Sequence, residues 1–405
     1  MSAPKQQIGL FGAVAIGFAS MLGAGVFNVF GPAASQTSAL FTALFLAALV
    51  ATLNATSVYQ LARRTSRPGG VYAYARVELN NTASFIAGFS FVFGKIASIA
   101  AIAYVFGVYV NPEQGVATAA AAIVVLALLN ILGINRTALV AAVLAIATTS
   151  YLLITTTVGI SQAHPVNPVF DIVAGPAGIL SAASLLFFAF AGYARVATLG
   201  DEVRDPLKNI PRAIAITLIG VLTIYVLVAI ALTLNFEGAL ADLNRPFNLL
   251  ARLVFPDWIT TLVVAGASLG SMLALLAGVS RTAATMAEDT ELPQVFGKRN
   301  RFGSPWLAEV LIAAGAIILL YSNPYWQWMV GFSSFSVLLY YAIGHVAAFR
   351  LSRKSKPTGQ IVQILGFVLC CALLLAVPGP AVWVSAGILA VALLVRWVVA
   401  RRRAR

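Results

Sequence analysis

The sequence predicts an all-α polytopic membrane protein of twelve spans, and three observations carry that expectation. Of its 405 residues 60% are apolar and only 10% charged, with a mean hydropathy of +0.92; an ordinary soluble chain is about 25% charged. The apolar residues fall in blocks close to the roughly 20 residues a helix needs to cross the hydrocarbon layer. Lys and Arg gather in alternate connectors, the bias that orients membrane helices.

Taken in order, the spans cover about 8–34, 38–61, 83–110, 115–133, 138–161, 177–200, 211–235, 258–287, 305–322, 326–349, 360–377 and 381–399. The first follows a minimal basic start at Lys5 and is too long for a signal-peptide core, so it is expected to remain as a membrane helix. The second ends at the arginines and glycines of "RRTSRPGG" (63–70), and "NPEQ" (111–114) turns the third into the fourth. "SQAHPVNPVFD" (161–171) separates the fifth from the sixth, and "DEVRDPLKNIPR" (201–212) the sixth from the seventh. "EDTELPQVFGKRNRFGSP" (288–305) follows the eighth, and "RLSRKSKPTG" (350–359) the tenth. Pro, Gly and charge punctuate each of them, and none is long enough for a soluble domain. Adjacent Cys370 and Cys371 lie inside the eleventh span and read as small buried hydrophobes.

With the N-terminus in the cytoplasm, 23 of the 26 Lys and Arg residues fall on the cytoplasmic side. The outer connectors hold only Arg245 and Arg252, and Lys95 alone is left within the membrane. The net charge of +13 is thus a topology signal with attraction to anionic lipid, not a nucleic-acid footprint. Both termini, including the basic tail 400–405, are expected in the cytoplasm of a bacterial-type inner (plasma) membrane.

Two spans carry weak helix formers where a membrane helix should be strongest. Span 1 reads "MLGAGVF" (21–27), and span 6 breaks its apolar run at Ala191 and Gly192. The breaks lie five spans apart, and five is odd, so the second set of five starts from the opposite side of the membrane. Residues 1–161 and 177–350 then form two inverted repeats, with 360–399 as two added spans. Interrupted helices at matching places in two halves point to a transport site at the midplane. Unwinding leaves N–H and C=O groups unpaired at several kcal/mol each, tolerated where they line a polar cavity. Met21, Leu22, Gly23, Ala24, Gly25 and Val26 would supply N–H donors at a positive helix end for a carboxylate, and carbonyls for an ammonium. Carbonyls near Phe188 and Ala191 would complete a grip on a zwitterion, with Gly192 and Tyr193 at the same break as further substrate-site candidates.

The motifs "MLGAGVFNVFGPAA" (21–34), "RPGGVYAYARVEL" (67–79), "NILGINRTA" (130–138), "FFAFAGYARVATLGDEVRDPLKNIPRAI" (187–214) and "GVSRTAATMAEDTELPQVFGKRNRFGSPW" (278–306) resemble those of the amino acid–polyamine–organocation superfamily of permeases. The resemblance implies a LeuT-type five-plus-five inverted repeat with discontinuous first and sixth helices. It implies an amino-acid carrier, proton-coupled or exchanging, and carries the head-group site onto Met21, Ala24, Gly25, Phe188 and Ala191. Tyr193 and Phe190 resemble gate or pocket aromatics. Three departures stand out. Ala24 replaces a serine common between the two glycines. The place of a common span-5 lysine, fifteen residues after Gly133, falls at Thr148. Span 3 carries Lys95 where most members are uncharged.

Lys95 lies twelve residues beyond Ala83, about 18 Å into its helix. Three roles stay open: proton carrier in place of the absent span-5 lysine, selector of substrate charge, or a snorkelling tie between helices. Asp201, Glu202, Arg76 and Arg281 are candidate inner-gate charges, and His345 a packed histidine or a relay. H⁺ is the expected coupling ion; Na⁺ between spans 1 and 8, at Ser268 and Ser271, is the alternative. No cofactor and no resident metal is expected, and no obligatory protein partner. No nucleophile, acid–base pair or His/Cys cluster suggests an enzyme, and no charged ring suggests a channel. The expected substrate is a neutral amino acid. An acidic or cationic amino acid, a polyamine, or a transport-inactive sensor of the same fold are the alternatives.

Overall fold

The computed structural model describes residues 8–63, 69–133, 138–163, 175–193, 196, 203–243, 245–322, 325–352 and 360–403. Among them the chain is helical apart from short 3-10 turns, connectors and one isolated parallel bridge between Ile8 and Val203. The helices are α1 (Leu10–Met21), α2 (Ala24–Asn28), α3 (Phe30–Ala34), α4 (Leu40–Ala62), α5 (Val71–Glu78), α6 (Asn81–Val110), α7 (Gly115–Ile131) and α8 (Ala138–Gln162). They continue as α9 (Pro176–Phe190), α10 (Pro206–Phe236), α11 (Pro246–Ala251), α12 (Asp257–Glu288), α13 (Trp306–Ser322), α14 (Trp326–Ser352), α15 (Gln360–Leu375) and α16 (Ala381–Arg403).

Nine segments of the described residues are long and apolar enough to cross a membrane. Three shorter apolar helices, α7, α13 and α15, stand where the sequence places the fourth, ninth and eleventh spans. The chain is therefore an integral membrane protein. Local chemistry sets the ends. The Asn80 side chain accepts from the Ala83 N–H at 2.8 Å and starts α6, a side-chain cap for an otherwise orphaned donor. Pro176 and Pro246 open α9 and α11 from the first turn, where a missing N–H does no harm. Gly133, at φ +75°, ends the turn after α7, a conformation that other residues adopt only with strain.

Long helices divide by burial. In α14, 78% of the apolar window is inside the protein, against 11% in α16; the first is central and the second lies at the rim. α14 packs on α6, α15 and α4; α6 packs on α12 and α7; α1 packs on α10 and α8. Small residues set these contacts: a Cβ on Gly94 would lie 2.7 Å from Ser336 Cβ, and one on Gly331 2.9 Å from Ala381 Cβ. Lipid tails are as apolar as the helices, so close backbone approach rather than hydrophobic burial drives this packing. Val391, Leu394 and Val395 of α16 point outward, as an apolar rim facing hydrocarbon requires. The N–H of Arg204 donates to Ile8 O at 2.9 Å and ties the chain after span 6 to the start of span 1.

Candidate functional site

The regular coil of span 1 stops at Met21. The Leu22 N–H still donates to Phe18 O at 2.7 Å, but ψ of 40° takes Leu22 out of the helix, and Gly23 is extended at φ −82°, ψ −155°. α2 begins at Ala24 with no side-chain cap, and helical dihedrals at Val29 carry it into α3. The break thus occupies Leu22 and Gly23, while Ala24, Gly25 and Val26 are already helical. Span 6 stops at Phe190 and tightens into a single 3-10 turn over Ala191–Tyr193, with the Ala191 N–H donating to Phe188 O.

The two interruptions touch. A Cβ on Gly192 would lie 2.5 Å from the Ser20 carbonyl carbon and 2.8 Å from Met21 N. A Cβ on Gly25 would lie 3.1 Å from Ala189 Cα. Glycine is required at 192 because the facing atoms are backbone and cannot swing aside.

Carbonyls freed by the breaks have found donors, as a membrane interior demands. The Tyr225 hydroxyl of α10 lies 2.8 Å from Met21 O and 3.0 Å from Ala189 O, spanning both breaks. The Lys95 ammonium of α6 donates to Ala191 O at 3.4 Å, and the residue is 4% exposed. The Ser271 hydroxyl of α12 donates to Ala19 O at 3.2 Å, and a Cβ on Gly23 would lie 2.5 Å from Ser271 Oγ. Two carbonyls that the sequence offers to a substrate, Met21 and Ala191, therefore already hold protein donors. Sequence reasoning missed Tyr225; its only signal is a lone phenol inside the apolar run of span 7.

Aromatic rings close the surroundings. Phe188 meets Trp326 edge-on at 5.9 Å, Phe190 meets Tyr225 at 5.0 Å, and Tyr193 stacks on Tyr341 at 5.5 Å. Thr148 is buried on the face of α8 whose Ala141 and Ala145 pack on Ala19 of α1. Ser268 is buried, and its hydroxyl has no hydrogen-bond partner among the described residues. Ser333 and Ser334 bond within the protein, to Ser98 Oγ at 2.7 Å and Ser184 O at 2.9 Å. Away from the breaks, a cavity of about 350 Å³ is lined by Gln36, Leu185, Tyr325, Trp328 and Pro378.

Asp201 and Glu202 lie outside the described residues. Arg281 is exposed. Arg76, on α5, pairs with Glu291 at 3.3 Å and Asp289 at 3.8 Å, just past the end of α12. Arg396 of α16 reaches the same Glu291 at 2.7 Å. Tyr72 donates to Asp289 Oδ2 at 2.8 Å; burial first, and then this carboxylate, hold its phenol well above the usual tyrosine range. These charges join α5, α12 and α16 at one end of the bundle. The sequence named Arg76 but not these partners.

The family model described as Amino acid permease matches residues 12–401. An uncharacterised transporter of Mycobacterium tuberculosis is 39% identical over 412 residues, covering 98% of this chain and 93% of its own. Cationic amino acid transporter 7, chloroplastic, of Arabidopsis thaliana is 24% identical over 70% of this chain and 55% of its own. The branched-chain amino acid permease BcaP of Bacillus subtilis is 25% identical over 75% of this chain and 72% of its own.

Proposed function

Because the chain belongs to the amino acid permease family, we propose that it carries a neutral amino acid across the bacterial plasma membrane by alternating access. The arrangement is twelve spans in a LeuT-type inverted repeat, residues 1–161 against 177–350, with both termini cytoplasmic. The observation that carries the reading is the contact between two broken helices, Gly192 against Ser20 and Met21, with Tyr225 bonded across both.

Chemistry then assigns the parts. The uncapped start of α2 offers the N–H groups of Ala24, Gly25 and Val26 to a carboxylate, where the helix dipole favours negative charge. The carbonyls of Met21 and Ala191 take the α-ammonium when it displaces Tyr225 and Lys95. Lys95 enforces charge: among the described residues its ammonium bonds a backbone carbonyl and no Asp or Glu, and it faces the turn that would hold the head group. A second cation at the side-chain end of the substrate is repelled, which separates this chain from a cationic carrier and agrees with a branched-chain substrate as in the Bacillus relative. H⁺ is the proposed coupling ion, with Na⁺ at Ser268 and Ser271 as the alternative; the Ser271 hydroxyl donates to the Ala19 carbonyl at 3.2 Å.

Counterflow in proteoliposomes tests this: purified protein, vesicles loaded with unlabelled leucine, labelled leucine outside, Na⁺ replaced by choline. Uptake that saturates and is chased by unlabelled neutral amino acids is expected. No exchange with any amino acid would overturn the reading, and strict dependence on Na⁺ would overturn the choice of ion.

A further inference from the structure

Beside Tyr193 of the span-6 turn lies a polar cluster that the head-group site does not use. The His345 imidazole, 1% exposed, has Nε2 at 2.7 Å from Asn54 Oδ1 and Nδ1 at 2.8 Å from Ser57 Oγ. Asn54 Oδ1 can only accept, so Nε2 carries the hydrogen, and Nδ1 accepts from the Ser57 hydroxyl. Cys370 of α15 donates to the same Asn54 oxygen at 3.1 Å. Gly366 of α15 faces the ring, and any side chain there would strike the imidazole.

The cluster has open ends. Asn54 Nδ2, Tyr193 Oη and Tyr341 Oη are buried with no hydrogen-bond partner among the described residues. Tyr193 stacks on Tyr341 and lies beside Asn54. At the other end, Gln363 Nε2 donates to Gln60 Oε1 at 2.7 Å while Gln363 Oε1 is unpartnered in the same sense. Asn54, Ser57 and Gln60 recur every three residues on one face of α4, about 4.5 Å apart along the axis. A file of polar groups therefore runs from the span-6 turn past His345 toward the end of α4 nearest Arg63. A plain packing residue would fill this place without bringing an imidazole into the membrane interior, where ionisable groups are costly and generally functional.

We infer that His345 is the proton-carrying group of the transport cycle, loaded and discharged at Nδ1 through Ser57 and the Gln60–Gln363 pair while Nε2 stays bonded to Asn54. The inference rests on the transport reading above. Loading adds one proton to Nδ1 and breaks no covalent bond. Nδ1–H then donates to Ser57 Oγ, and the Ser57 hydroxyl turns to its own helix, where serine can donate to the carbonyl four residues back. Release reverses this. The titratable groups of the cluster are Cys370 from α15, which shares Asn54 Oδ1 with the ring, Tyr193 from the turn and Tyr341 from its own helix; the described cluster contains no carboxylate. An imidazolium there has no carboxylate counter-charge in the described cluster, so the proton is held only while Ser57 Oγ can accept from Nδ1–H.

The test compares two fluxes in the same proteoliposomes. Leucine counterflow needs no net proton movement; uphill leucine accumulation under an imposed inward proton gradient does. For His345→Gln, counterflow within about threefold of wild type is expected, with gradient-driven accumulation and substrate-induced luminal acidification reduced at least tenfold. Ser57→Ala keeps the ring and removes its acceptor; a displaced pH profile of accumulation is expected. Wild-type accumulation by either variant, with an unchanged pH profile, overturns the proposal. So does a wild-type protein that exchanges leucine but ignores the gradient, which leaves the transport reading standing. A wild-type protein that moves no amino acid removes that reading and this inference together.

Discussion

Replacing Lys95 by methionine separates charge selection from head-group binding. Lys95 Nζ sits 3.4 Å from Ala191 O, the carbonyl that takes the substrate ammonium. The scale of the effect follows from Coulomb's law for a cationic side-chain tip taken at about 8 Å from Nζ. Two unit charges at about 8 Å repel by about 2 kcal/mol at an effective dielectric constant of about 20, a factor of roughly 30 in affinity. Methionine keeps the length of the side chain and removes the charge. It also removes the bond to Ala191, but that change acts on every substrate alike, so the ratio between substrates isolates the electrostatic part. The assay is inhibition of labelled-leucine counterflow by arginine and by valine, in wild type and Lys95→Met. The ratio of inhibition constants, arginine over valine, should fall by about 30-fold in the variant. An unchanged ratio refutes the placement of Lys95 against the substrate, whatever happens to absolute rates.

Gly192→Ala drives a methyl into the Ser20–Met21 backbone; overpacking of this kind costs about 1–3 kcal/mol, and counterflow should fall at least tenfold while the protein still reaches the membrane. Tyr225→Phe leaves Met21 O and Ala189 O without their shared donor, which should lower stability in detergent by about 1–3 kcal/mol, read as a lower thermal midpoint; an unshifted midpoint contradicts the bridge. Glu291→Gln removes the anion shared by Arg76 and Arg396. Because both arginines are partly exposed, the loss should not exceed about 1 kcal/mol, but hydrogen exchange over residues 71–78 should quicken.

The sequence made the element order legible because each boundary has a local cause: Asn80 capping α6, Pro176 opening α9, Gly133 ending α7. The breaks were legible for the same reason, since glycine clusters mark where backbone departs from the helix. Their centre was less so. The departure falls on Leu22 and Gly23, because Ala24 is a good first helical residue and Gly25 serves instead to admit Ala189. What could not be read was pairing between distant residues. Tyr225 meets Met21 across 204 positions, and His345 meets Asn54 across 291. Nothing in the local pattern of a phenol or an imidazole in an apolar run says which carbonyl or amide the fold will set beside it. Lys95 lies between these cases: its depth followed from counting residues along a helix, while its partner at Ala191 came only from the fold.

The central claim is that both ends of a zwitterion are held by backbone freed at two broken helices. The most direct measurement is binding of leucine and of two analogues, one without the ammonium (4-methylpentanoate) and one without the carboxylate (3-methylbutylamine), to the purified protein by calorimetry. Leucine should bind, and each analogue should bind at least a hundredfold more weakly, since either loss leaves one break unfilled. An analogue that binds as tightly as leucine would contradict the account.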